Sequence, residues 1–267
     1  LTFAHILSLS RSLPAADRSV RSGKWERSKF MGAELANKTL GIIGFGNIGR
    51  IVASRAKAFK MKIVAFDPFV TDEAFENEGI TPLNVDELVK VSDYISLHCP
   101  VNDKTRGVLN ADRIKTMKKS ARIINVARGG LVDEQALYEA LKSGNLGGAA
   151  LDVFETEPPS DSPLIELDNI VFTPHLGAST DEAQKAAGTE LASQISIYLQ
   201  TGEPINAINL PPVSSDELIK LQPYIILANR LGKLLGGMVD VPITQLDVTL
   251  SGEASKRDVR SVSVESL

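Results

Sequence analysis

The stretch "GIIGFGNIGR", residues 41–50, runs from an apolar β-branched segment into three glycines spaced GxGxxG and on into a helical pattern. Gly44, Gly46 and Gly49 suit a strand–turn–helix unit. Glycine allows the tight turn, and bare amides at a helix N-terminus attract an anion such as a pyrophosphate. Taken alone, the motif reads equally well as a turn with close helix packing, so its surroundings have to decide.

Working outward, "TLGIIGF" (39–45), "KIVAFD" (62–67), "YISLHC" (94–99), "ARIINVA" (121–127), "GAALDV" (148–153) and "NIVFTP" (169–174) are short strand-like runs. Between them "NIGRIVASRAKAF", "NVDELVKV", "ADRIKTM" and "DEQALYEALKSG" carry helical apolar spacing, the last closing on Gly144 as a C-terminal glycine would. This alternation predicts an α/β fold: a doubly wound, Rossmann-type parallel sheet with helices on both faces. Ligands of such sheets lie at the carboxyl ends of the strands. Asp67 ends the second run, 18 residues beyond Gly49 (67 − 49). A carboxylate there accepts both hydroxyls of an adenosine ribose and repels a 2′-phosphate, which favours NAD over NADP. The bland alternative is a strand-end turn before Pro68.

Three more residues leave the same edge. Arg128 follows the fourth run in "NVARGG" (125–130), Glu157 follows the fifth in "LDVFETEPP" (151–159), and His175 follows the sixth in "VFTPHLGAST" (171–180). Together they supply an anion clamp, a carboxylate that tunes an imidazole, and a proton acceptor, the parts that hydride transfer at a hydroxyl-bearing carbon requires. Singly, each has an ordinary reading: a carbonyl cap for Arg128, solvated charge for Glu157, a structural ring for His175. His5 and His98 lack such company and read as structural. Trp25, the single tryptophan, suits either local apolar cover or an interface anchor.

Composition sets the outer bounds. With 267 residues and 43% hydrophobic content the chain can bury a sizeable core. No apolar run approaches the roughly 20 residues of a bilayer span, so no membrane partner is expected. A net charge of −4 with interspersed signs gives no nucleic-acid footprint. One cysteine, Cys99, excludes an internal disulfide and suits a reducing cytoplasm. No metal-ligand spacing is found. The opening "LTFAHILSLSRSLP" lacks a basic leader and a cleavage site, and the chain reads as cut at its start. After residue 180 a long helix leads to the linker "EPINAINLPPVSSD" and a tail, "ITQLDVTLSGEASKRDVRSVSVESL", that alternates like strands.

"GIIGFGNIGR", "NVARGGLVDEQAL", "DVFETEPP" and "TPHLGAST" resemble, in order and spacing, the NAD-dependent D-2-hydroxyacid dehydrogenases, over about residues 1–210. "PHLGAST" followed by "DEAQ", with "GKWERSKFMGAEL" upstream, is most similar to the branch acting on a phosphorylated 2-hydroxy acid for serine synthesis. The resemblance implies that Arg128 holds the substrate's carboxylate or carbonyl oxygen, that His175 is the general acid/base, and that Glu157 pairs with it. It implies cofactor contacts from Gly44, Gly46, Asn47, Ile48, Gly49, Asp67, Cys99, Val126, Ala127, Arg128, Asp152, His175, Gly177 and Ala178. It further implies an NAD-binding domain over 1–206 with long entering and leaving helices, and a linker with the start of a further domain over 207–267. The family's substrate domain is largely outside the chain. A homo-oligomer, dimer or tetramer, acting on a small anionic 2-hydroxy acid is expected. Reductases of glyoxylate or hydroxypyruvate, and non-enzymatic NADH-sensing co-repressors of the same fold, remain alternatives.

Overall fold

The structure, a computed structural model, describes residues 1–202, 205, 215–238, 249, 251 and 252. Helices α1 (Thr2–Arg11) and α2 (Leu13–Arg21) lead into β1 (Thr39–Ile43), α3 (Asn47–Ala58) and β2 (Lys62–Phe66). There follow α4 (Asp72–Asn77), β3 (Thr81–Pro82), α5 (Val85–Val91), β4 (Tyr94–Leu97), α6 (Ala111–Thr116), β5 (Arg122–Asn125), α7 (Glu134–Lys142), β6 (Gly148–Leu151) and β7 (Ile170–Phe172). The strands pair in parallel in the order β3-β2-β1-β4-β5-β6-β7. All six expected runs are strands. The seventh, β3, escapes sequence reading because it has two residues, one of them Pro82, which a sheet tolerates only at its edge.

The sheet is covered twice, as alternation along its strands requires. Ile42 and Ile124 pack on one face with Val52, Ala56 and Ile6, beneath α3 and α1. Ile43 and Ile123 pack on the other with Leu88, Ile114 and Leu137, from α5, α6 and α7. Side chains buried this completely stabilise by roughly 1.5–3 kcal/mol each. Helix starts are set by capping side chains: Thr71, Asn84, Asn110 and Asp133 accept N–H groups at the starts of α4, α5, α6 and α7. Gly144 takes φ +72° just past α7, as its place in the sequence predicts. The strand order reverses between β1 and β4, so the loop after β1 faces the topological switch point.

The chain divides into two units, Leu1–Thr180 and Asp181–Leu267. Helix α8 (Asp181–Thr201), grouped with the first domain (1–206) by the sequence reading, stands in the second unit. None of its residues is buried. The second unit also holds α9 (Ser215–Met238), where Leu221 and Ala228 are buried with Tyr224 and Ile225 against them. Most of the expected linker and nearly all of the strand-like tail lie outside the described residues.

Candidate active site

The glycine loop is built for close approach. Gly44 has φ +96°, and a Cβ there would stand 2.5 Å from the carbonyl carbon of His98. At Gly49 a Cβ would stand 2.2 Å from the carbonyl oxygen of Gly44. These two glycines therefore serve the fold. Gly46 differs: a Cβ there meets nothing within 4 Å, so its bareness serves whatever comes from outside. Gly46 is the N-cap of α3, without a side-chain cap and with no acidic residue in the first turn. The first-turn N–H groups, including those of Asn47, Ile48 and Gly49, have no intrahelical acceptor and bear the positive end of the helix dipole. The exposed Ile48 stands beside them. This geometry fits a dinucleotide's pyrophosphate.

Asp67 lies beyond the end of β2 and braces the loop from below. Its Oδ2 accepts Phe45 N–H at 2.7 Å and its Oδ1 accepts Phe69 N–H at 2.9 Å. Each oxygen keeps a second lone pair for a ribose hydroxyl. Beyond β4, Cys99 is half-buried, and burial pushes its thiol up to about 11. Its neighbour His98 bonds Ser96 Oγ through Nε2 at 2.8 Å, and burial lowers its pKa to about 4. His98 is thus a neutral wall of the switch point, as its structural reading has it.

Arg128 is held by a residue the sequence reading passed over. Buried Asn125, last in β5, donates from Nδ2 to the Arg128 carbonyl at 2.8 Å and accepts Ala127 N–H at 3.1 Å. That side chain fixes the path of Val126, Ala127 and Arg128. The guanidinium donates to the Ala127 carbonyl at 2.7 Å. Gly129 touches the next strand end so closely that a Cβ would lie 1.8 Å from the Phe154 carbonyl oxygen. A cleft of about 280 Å³ opens here, lined by Arg128, Glu157, His175 and, unexpectedly, Arg106. Arg106 sits with its Nη1 2.9 Å from where a Cβ on Gly130 would be. Its signal was only a charge in the polar loop "VNDKTRG". A cleft this small suits one end of a small metabolite.

His175 and Glu157 meet across this cleft, Nδ1 to Oε2 at 2.9 Å. The other oxygen of Glu157 accepts Phe154 N–H at 3.0 Å. The His175 bond and then that amide hold the carboxyl below the usual range. An ionised carboxylate only accepts, so Nδ1 carries the proton and Nε2 is the ring's acceptor. His175 itself adopts φ +55°, an uncommon conformation for a non-glycine residue, and its N–H donates to the Asp152 carbonyl at 2.9 Å. Asp152, fully buried, accepts Leu176 and Gly177 N–H at 2.7 and 2.8 Å and the Thr173 hydroxyl. The direct cofactor contact expected of Asp152 would share its carboxylate with these donors. A Cβ on Gly177 would lie 3.3 Å from Asp152 Oδ2 and 3.5 Å from Val126 Cγ1, so Val126, Asp152 and Gly177 form one packed group, with Ala178 next in the chain. Among the described residues no cluster of His, Cys, Asp or Glu is arranged to hold a metal, and no helix is long and apolar enough to cross a membrane.

Comparison with known proteins agrees with this geometry. Residues 3–177 match the family model described as D-isomer specific 2-hydroxyacid dehydrogenase, NAD binding domain. A D-3-phosphoglycerate dehydrogenase of Methanocaldococcus jannaschii is 47% identical over 257 residues, which is 96% of this chain and 49% of that protein. The chain spans about half the length of the curated relatives it matches. Among solved structures, the D-lactate dehydrogenase of Aquifex aeolicus complexed with NAD and lactic acid superposes with TM-score 0.69 at 35% identity, covering 74% of this chain and 65% of that one. An acyclic imino acid reductase in complex with NADPH and D-Arg superposes with TM-score 0.71 at 37% identity, covering 78% and 66%.

Proposed function

Since this chain belongs to the D-isomer specific 2-hydroxyacid dehydrogenase family and carries its NAD-binding domain, we propose that it is the cofactor-binding and catalytic part of a D-3-phosphoglycerate dehydrogenase. In this reading the enzyme oxidises D-3-phosphoglycerate to 3-phosphohydroxypyruvate on the route to L-serine. The observation that carries the reaction class is the His175–Glu157 pair, 2.9 Å apart, sharing one cleft with Arg128. Support for the substrate comes from the 47% identity to a relative bearing that name.

Gly46, Asn47, Ile48 and Gly49 would hold the pyrophosphate and Asp67 the ribose, with Cys99, Val126, Ala127, Gly177 and Ala178 beside the nicotinamide end. When bound, NAD supplies the hydride acceptor. Arg128 binds the substrate's carboxylate, since a planar guanidinium pairs with two oxygens at once. His175 takes the hydroxyl proton on Nε2, and Glu157 stabilises the charge that the ring then carries. In the reductive direction the same ring returns the proton. Asp67 disfavours a 2′-phosphate, so NAD is the working cofactor. The enzyme acts as a homo-oligomer in the cytoplasm, a reading supported by the exposure of Trp25 (79%) and Met31 (88%) and by the unpaired Cys99.

The test is a substrate panel on the full-length protein: 3-phosphoglycerate, glycerate and lactate, each with NAD and NADP. Preference for 3-phosphoglycerate with NAD supports the reading. Preference for glycerate, run backwards as hydroxypyruvate reduction, replaces it with the reductase alternative. NADH binding without turnover of any substrate replaces it with a co-repressor.

A further inference from the structure

His5 is buried at 2% exposure on α1, whose residues pack against β5, β6 and β7. Its Nε2 lies 3.0 Å from Thr173 Oγ1. The direction of that bond follows from proton accounting. A carboxylate only accepts, and a hydroxyl has a single proton. Thr173 gives its proton to Asp152 Oδ1, so His5 must donate from Nε2 to Thr173. Burial lowers the pKa of His5 and keeps the ring neutral, which fixes the Nε2–H tautomer. Asp152 in turn accepts the amides of Leu176 and Gly177, the two residues after His175, and its carbonyl accepts the amide of His175.

We infer that His5 is a positioning residue for His175: its Nε2–H orients Thr173, Thr173 orients the Asp152 carboxylate, and the carboxylate holds the 175–177 loop in the shape that aims the imidazole. An outlying backbone conformation such as that of His175 persists where surrounding bonds over-determine it, and the bonds to Asp152 are among those that do so here. His5 lies outside the cleft-lining set and acts only through this chain of groups. The loop-holding part stands on geometry alone, whereas the effect on turnover rests on the reading of His175 as the acid/base group.

The test compares His5→Leu, which removes the donor, with His5→Gln, whose side-chain amide N–H reaches about as far as the ring Nε2. Amide hydrogen exchange at Leu176 and Gly177, NADH affinity, kcat and KM are measured for each. Expected for His5→Leu are exchange faster by about tenfold, as loss of one buried hydrogen bond permits, and kcat lower by a similar factor with NADH affinity within about twofold. His5→Gln restores both. If His5→Leu does not fold, Thr173→Val, which deletes the hydroxyl that links His5 to Asp152, takes its place and should show the same pattern against His5→Gln. Unchanged exchange in His5→Leu, or exchange and kcat that Gln does not restore, overturns the proposal. Faster exchange with normal kcat also overturns it when His175→Ala abolishes turnover; if His175→Ala stays active, it is the acid/base reading that fails.

Discussion

The imidazole of His175 and the carboxylate of Glu157 stand 2.9 Å apart although the two residues follow different strands, β7 and β6. That bond and the Phe154 amide hold the Glu157 carboxyl below the usual carboxylate range, so it faces the ring as a carboxylate. In the proposed oxidation the ring takes up a proton, and the carboxylate offsets the charge it then carries. Glu157→Gln should therefore lower the maximum oxidation rate by about tenfold or more while NAD affinity hardly changes. An unchanged maximum rate would show the two groups to be uncoupled.

Arg128→Lys tests the clamp. A point charge keeps the sign but loses the bidentate geometry, and a charge-assisted hydrogen bond is worth about 1.5–3 kcal/mol, so kcat/KM should drop by roughly ten- to a hundredfold. NAD affinity and melting temperature should hardly change, because Asn125 holds the backbone at this point independently of the guanidinium. A variant with a lower melting temperature and normal turnover would make Arg128 a structural cap.

Two glycines of one motif should answer differently to alanine. Gly46→Ala adds a methyl where nothing lies within 4 Å; the fold should stand while NAD affinity falls by about tenfold or more. Gly49→Ala drives a methyl onto the Gly44 carbonyl oxygen and should lower the melting temperature by several degrees, as about 1–3 kcal/mol of overpacking does. Calorimetry and cofactor titration on both variants read this directly. Equal effects on stability would dissolve the distinction.

Asp67 has two duties, ribose recognition and support of Phe45 and Phe69. Asp67→Ala should therefore weaken binding of both cofactors and, separately, narrow the ratio between NAD and NADP as the repulsion of a 2′-phosphate disappears. The ratio carries the argument. If the unaltered protein binds NAD and NADP equally, the carboxylate does not select.

His98 gives a prediction about stability. Its folded pKa, about 4, lies below the ordinary 6.5. The unfolded chain thus binds the extra proton first as pH falls. Stability is lost between about pH 6.5 and pH 4, by about 3 kcal/mol in all. His98→Gln should flatten the pH dependence of the melting temperature over that interval. A slope equal to that of the parent protein would contradict the assignment.

Periodic apolar runs and punctuating glycines made six strands, the glycine loop and the edge carrying Arg128, Glu157 and His175 readable from the chain, because each is a local pattern with one physical outcome. What stayed hidden depends on contact between distant segments. Nothing near Asn125 indicates that its amide ties Arg128 in place. Nothing in "LTFAHIL" indicates that His5 meets Thr173, 168 residues away. Arg106 is one charge in a polar loop until β4 and β5 bring it to the cleft. Nothing around Asp152 in sequence indicates that its carboxylate takes donors from Thr173, Leu176 and Gly177, 21 to 25 residues further on.

The approach of Gly129 to the Phe154 carbonyl welds two strand tips together. One tip presents Arg128; the other, through the Phe154 amide, seats Glu157. Any side chain at position 129 would wedge them apart and misalign both at once. The clamp and the proton-tuning carboxylate are therefore set by one joint, and a shift of either tip moves both members of the cleft together.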